Sequence, residues 1–92
     1  MMSSTAIRQA INPQRLLETA QSLVAIPSPT RSAGQVADHL SKILTQDGFT
    51  VERPVADWPE APAVVVRFDS GSPGKTLQFD GHLDTVHLPF IE

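Results

Sequence analysis

A chain of 92 residues with 40% hydrophobic content is the size of one small domain or a portion of a larger one, and can bury only a modest core. Seven Lys and Arg against ten Asp and Glu give a net charge of -3. With the basic residues scattered along the chain, that argues against nucleic acid, because phosphate binding needs clustered cations. There is no cysteine, hence no disulfide framework and no thiolate metal site. The N-terminus also lacks the apolar core of a signal peptide, and no run approaches the ~20 apolar residues of a membrane span. The expectation is a soluble cytoplasmic protein.

Residues 1–11 are polar and mixed and read as a loose lead-in, helical near its end. Asn12 and Pro13 are a helix start, Asn suiting the N-cap and Pro the first helical position. Leu16, Leu17, Ala20, Leu23 and Val24 then recur at helical spacing and predict one apolar face. Pro27 and Pro29 end that helix. Ser32 and Gln35 match a capping box for a second amphipathic helix, with Val36, Leu40, Ile43 and Leu44 on its apolar face. Asp47-Gly48 stops it, glycine taking the left-handed position after the last turn.

From Phe49 the period falls to two, predicting a strand over 49–54 that closes at Pro54. The proline-rich segment that follows is a loop holding Trp58, either capping the edge of a core or stacking on a ligand. Residues 63–68, rich in valine, read as a strand buried on both faces or nearly so. The loop 69–74 has two glycines, but its spacing lacks the phosphate-loop pattern and predicts a surface turn. Residues 75–80 alternate again, Leu77 and Phe79 against Thr76, Gln78 and Asp80, and predict a third strand. The fold class is α/β: two N-terminal helices, then a mixed sheet whose three strands cannot be covered on both faces.

The stretch that carries chemistry is Gly81-His82-Leu83-Asp84-Thr85-Val86. In a strand, residues two apart point the same way, so His82 and Asp84 would share a face. A neutral imidazole can bind a divalent ion through one ring nitrogen while a carboxylate holds the other N–H. Asp80, His87 and Glu92 are nearby donors. A hydrogen-bonding role suits Asp80, an exposed loop position suits His87, and nothing around Glu92 promotes it to a ligand. His39 reads as a surface or boundary residue of the second helix.

Four segments together resemble the start of the M20 metallopeptidases. They are Leu23-Val24-Ala25-Ile26-Pro27-Ser28-Pro29-Thr30, Gln35-Val36-Ala37-Asp38-His39-Leu40, Gly48-Phe49-Thr50-Val51, and the H-x-D-T-V run from His82 to Val86. That family includes acetylornithine deacetylases, succinyl-diaminopimelate desuccinylases and glutamate carboxypeptidases. The resemblance runs from about Asn12 onward. It implies that 12–92 is the N-terminal portion of a zinc-peptidase-like catalytic domain, with the remainder and a dimerisation domain beyond it.

It further implies hydrolysis of an amide bond in N-acyl amino acids or small peptides, using a Zn2+ pair, with Co2+ possible. On that resemblance His82 matches the metal ligand, and Asp84 matches the catalytic-site aspartate that orients it. Implied partners are a small-molecule or peptide substrate and, for the full-length protein, a second copy in a homodimer; nucleic acid and membrane are not among them. The family often carries acidic residues where this chain has Arg31-Ser32-Ala33. Its general base and remaining ligands fall past Glu92, so the chain alone is expected to be inactive. The alternative is a non-catalytic binding module that pairs through an unfinished sheet edge.

Overall fold

The computed structural model describes residues 3–85. Three helices precede a two-stranded sheet: α1 (Ser4–Gln9), α2 (Pro13–Val24), α3 (Gly34–Gln46), β1 (Val51–Glu52) and β2 (Val65–Val66). The lead-in is thus more ordered than its composition predicts. Ser3 caps α1 by accepting a hydrogen bond from the Ala6 N–H at 3.1 Å. That satisfies one of the donors a helix start leaves orphaned.

α2 begins as the sequence requires. Asn12 Oδ1 accepts from the Arg15 N–H at 3.1 Å, with Pro13 at the first helical position. It ends at Ala25, two residues before Pro27. α3 starts differently from the expected capping box. Its N-cap is Ala33, with no side-chain hydrogen bond. Ser32 instead donates its N–H to the Pro29 carbonyl at 2.9 Å, closing a turn in which Arg31 has φ 67°. A positive φ at the third turn position is the signature of a type II turn. The turn takes Ser32 out of register for capping. The same chain path brings Gly34 against the 54–62 loop: a Cβ there would lie 3.0 Å from the Glu60 carbonyl oxygen, closer than packing normally allows.

The C-terminus of α3 is a complete Schellman motif. Gly48 has φ 95°, its N–H reaches the Thr45 carbonyl at 3.0 Å, and the Phe49 N–H reaches the Leu44 carbonyl at 3.0 Å. These bonds satisfy carbonyls the last turn would otherwise leave open.

The core is small and centres on α3. Val36 and Ala37 are buried, with Ala33 and Ser28 beside them. Leu40, Ile43 and Leu44 are half-buried, so α3 turns its expected face inward. The predicted face of α2 is only partly used: Leu23 is half-buried, while Leu16, Leu17 and Val24 are exposed. Three ion pairs join the pieces: Arg15 with Asp47, Arg53 with Asp38 at 2.9 Å, and Arg67 with Glu52 at 3.2 Å.

The sheet departs most from expectation. β1 and β2 are antiparallel, Val51 opposite Val66 and Glu52 opposite Val65, so the described sheet is antiparallel rather than mixed. Both strands are two residues long. The third predicted strand, over 75–80, does not form: those residues have no strand pairing, and Leu77 and Phe79 lie open to solvent, Phe79 at 88%. Alternation describes which side chains would share a face. A strand also needs a neighbour for its N–H and C=O groups and an apolar layer for its buried side. Among the described residues 75–80 has neither.

Candidate metal-ligand pair at the junction of two loops

The site is built where the segment after α2 meets the segment after residue 80. Pro27 and Pro29 keep the chain from continuing as helix after α2, because proline fixes φ and disfavours helix before it. Ser28 is buried, at 1% exposure. Its carbonyl accepts the Thr85 N–H at 2.8 Å, and its hydroxyl lies 3.3 Å from the Thr85 hydroxyl. Two residues on, Thr30 Oγ1 donates to Asp84 Oδ2 at 3.0 Å. The two segments, more than fifty positions apart in sequence, are thereby tied at two points.

Asp84 uses its other oxygen on His82. The Nδ1 of His82 is 2.7 Å from Asp84 Oδ1, with the Asp84 backbone carbonyl 3.0 Å from the same nitrogen. Nδ1–H is the donor, since carboxylate and carbonyl oxygens only accept. In the neutral ring this puts the proton on Nδ1 and leaves the lone pair on Nε2. The His82 side chain is 85% exposed, and among the described residues nothing hydrogen-bonds Nε2. The Asp84 carboxyl sits below its ordinary 3.8 because the Thr30 hydroxyl, then the His82 N–H, favour the ionised form.

The two sequence-predicted residues are therefore brought together, although by a different route from the one expected. Residues 81–85 carry no strand assignment. What joins His82 to Asp84 is a direct side-chain bond, with the single backbone bond from Thr85 anchoring the segment. The other described candidates make contacts of their own. Asp80 accepts from the Gln78 amide at 2.9 Å, the local role expected of it. His39 is half-buried on α3 with Nε2 3.2 Å from the Ser22 hydroxyl, a boundary contact between α2 and α3. Val86, His87 and Glu92 lie outside the described residues.

A cleft of about 430 Å³ adjoins Asp84, lined in part by Leu40, Val64, Phe79, Gly81 and Leu83, with Arg31 and Trp58 on its wall. The Arg31 guanidinium lies 4.3 Å from the Trp58 ring centroid, so the loop tryptophan has a cation as its stacking partner. The sequence reading missed Thr30, Ser28 and Thr85 as parts of the site. No local pattern links positions 30 and 84; the only hint is that both lie in the segments that carry the M20 resemblance.

Could this pair hold a metal? The donor chemistry fits one ligand: a neutral imidazole whose Nδ1–H is held by a carboxylate and whose Nε2 faces outward is the usual form of a metal-binding histidine. No group of three or more His, Cys, Asp or Glu suited to a metal occurs among the described residues. By itself the pair does not make a closed site, since a catalytic zinc takes about three protein ligands.

An α/β piece with an oriented histidine at the end of an extended segment is thus what the structure defines. Comparison with known proteins adds the family. The chain is 43% identical over 74 residues to a succinyl-diaminopimelate desuccinylase of Sphingopyxis alaskensis, covering 76% of this chain and 19% of that protein. It is 38% identical over 71 residues to the enzyme of the same name from Methylorubrum extorquens, covering 76% and 18%, and 38% identical over 76 residues to that of Methylorubrum populi, covering 79% and 19%. These matches show the M20-type kinship that the motifs implied. The chain spans about a fifth of the length of the curated relatives it matches. No family model matches the chain, and no solved structure matches it. No described helix is long and apolar enough to cross a membrane.

Proposed function

We propose that this sequence supplies one metal ligand, His82, and its positioning carboxylate, Asp84, to a metal-dependent hydrolase that cleaves an amide bond in an N-acyl amino acid. The observation that carries the reading is the 2.7 Å contact from His82 Nδ1 to Asp84 Oδ1, with Nε2 left outward. The relatives' shared name points to removal of a succinyl group from an amino-acid amine. By family resemblance the metal is a zinc pair, with cobalt possible, and the whole protein is a homodimer.

When bound, such a metal polarises the scissile carbonyl and lowers the pKa of a bound water. The chain's own residues do something more limited. Asp84 keeps the proton on Nδ1 and holds the ring against rotation, so that the Nε2 lone pair is presented in one direction. Nothing among the described residues supplies a general base beside that nitrogen, and the 92-residue chain alone is proposed to be catalytically silent.

A chimera tests this. Residues 12–85 replace the matching segment of the Sphingopyxis alaskensis protein, which is then assayed for desuccinylation and for metal content by mass spectrometry. The expected result is a metal-loaded, active chimera that loses bound metal and activity with His82→Ala. Asp84→Asn should lose about 10–100-fold. A folded chimera whose metal content and rate ignore His82→Ala would overturn the reading. So would steady hydrolysis by the 92-residue chain alone that disappears with His82→Ala.

A further inference from the structure

We infer that Thr30 is a positioning residue for the His82 ligand, acting through Asp84 from the opposite segment. The inference rests on the proposed metal role of His82 and goes beyond it by naming the group that holds the orienting carboxylate in place. Asp84 has two oxygens and two roles. Oδ1 accepts from His82 Nδ1 at 2.7 Å and Oδ2 accepts from Thr30 Oγ1 at 3.0 Å. A carboxylate held at one oxygen only can rotate about its side-chain bonds. Held at both, it has one orientation, and so has the imidazole.

The chain around Thr30 is built to keep that hydroxyl in place. On one side Pro29 fixes its own φ, and the Pro29 carbonyl accepts the Ser32 N–H at 2.9 Å. On the other side Arg31 is held at φ 67°, a left-handed conformation unfavourable for an arginine that persists only where surroundings enforce it. The buried Ser28 carbonyl takes the Thr85 N–H at 2.8 Å, pinning the partner segment next to Asp84. Thr30 therefore cannot withdraw without disturbing the turn and the Ser28–Thr85 tie.

The reading separates Thr30 from a residue that merely stabilises the fold. A structural hydroxyl would affect melting. A positioning hydroxyl would also change which nitrogen of His82 carries the proton. The experiment uses the whole 92-residue chain with 15N-labelled histidine, at a pH about two units above the ~6.5 of a free imidazole. Long-range 1H–15N correlation reads the tautomer of His82, and His39, on α3, serves as internal control.

Expected is a dominant Nδ1–H tautomer in the parent chain and in Thr30→Ser. In Thr30→Val the ratio of Nδ1–H to Nε2–H should fall about threefold to tenfold, the worth of one hydrogen bond, with helical circular dichroism and the His39 signals unchanged. If Thr30→Val loses its helical signal, Thr30→Ala is read in its place. A parent-like ratio in the hydroxyl-free variant overturns the inference and leaves the metal-ligand reading standing. So does a Thr30→Ser chain that behaves like Thr30→Val. A parent chain already in the Nε2–H form overturns both, because His82 would then not be oriented by Asp84 at all.

Discussion

The helix α3 and the extended stretch 75–80 both read clearly from periodicity, yet one formed and the other did not. α3 satisfies its backbone internally, closes its C-terminus with the Gly48 motif and buries Val36 and Ala37. The stretch 75–80 has the alternation of a strand but leaves Leu77 and Phe79 at the surface. A helix carries its own hydrogen-bond partners, whereas a strand borrows them. An amphipathic pattern can therefore be right about faces and still not produce an element until a second chain segment lies alongside.

The largest test of this contrast is Val36→Ala. Val36 is 1% exposed, and removing two methyl groups from so small a core should destabilise the chain by about 2 kcal/mol, read as a lower urea midpoint. Phe79→Ser, a far larger chemical change at an exposed position, should shift stability by less than about 0.5 kcal/mol. If Phe79→Ser proved the more damaging, the division between a packed helical part and an unpacked extended part would be wrong.

Gly34→Ala comes next. A new Cβ would meet the Glu60 carbonyl oxygen at 3.0 Å, backbone that cannot easily give way, so a loss of about 1–2 kcal/mol is expected despite alanine's better helix propensity. An unchanged or raised melting temperature would show that the 54–62 loop is not held against α3. Asn12→Ala should cost about 1 kcal/mol through the lost cap, confirming that α2 is fixed by its ends more than by its half-used apolar face.

The smallest effect concerns pH. The Asp84 carboxyl is lowered in the folded chain, so the folded state releases that proton more readily than the unfolded one. Its contribution to stability is full above the unfolded value of about 3.8 and is lost as pH falls through the lowered folded value. Because Asp84 is about one-third exposed (31%), solvent screens the effect. Asp84→Asn should flatten the acid limb of the urea midpoint against pH slightly; an identical slope would mean that Asp84 is not engaged by Thr30 and His82 in solution.

Much of the site was legible in the sequence. The spacing of His82 and Asp84, set after an alternating segment and read with the upstream Ile26-Pro27-Ser28-Pro29 run, marked the pair and the family. Local chemistry was enough for this, because a histidine and a carboxylate two residues apart can meet without help from the rest of the chain. Helix starts and stops were legible for the same reason at Asn12-Pro13 and at Gly48. Three local readings failed. The Ser32–Gln35 capping box lost to the Pro29–Ser32 turn, the run 63–68 pairs only at Val65–Val66 and is at most half-buried rather than buried on both faces, and the stretch 75–80 lacked a neighbour.

By itself, then, the sequence determined α2 and α3, the caps at Asn12 and Gly48, the spacing of His82 and Asp84 and the kinship it marks, all features whose physics acts within a few residues. Only the tertiary structure decided that α3 would hold the core while α2 stayed half-covered, that Gly34 would sit against Glu60, and that Thr30 would reach Asp84 across 54 positions. Such contacts depend on where Pro27, Pro29 and the Arg31 turn send the chain. That path is set by the sum of many weak packing and hydrogen-bonding terms, and no short stretch of sequence encodes it.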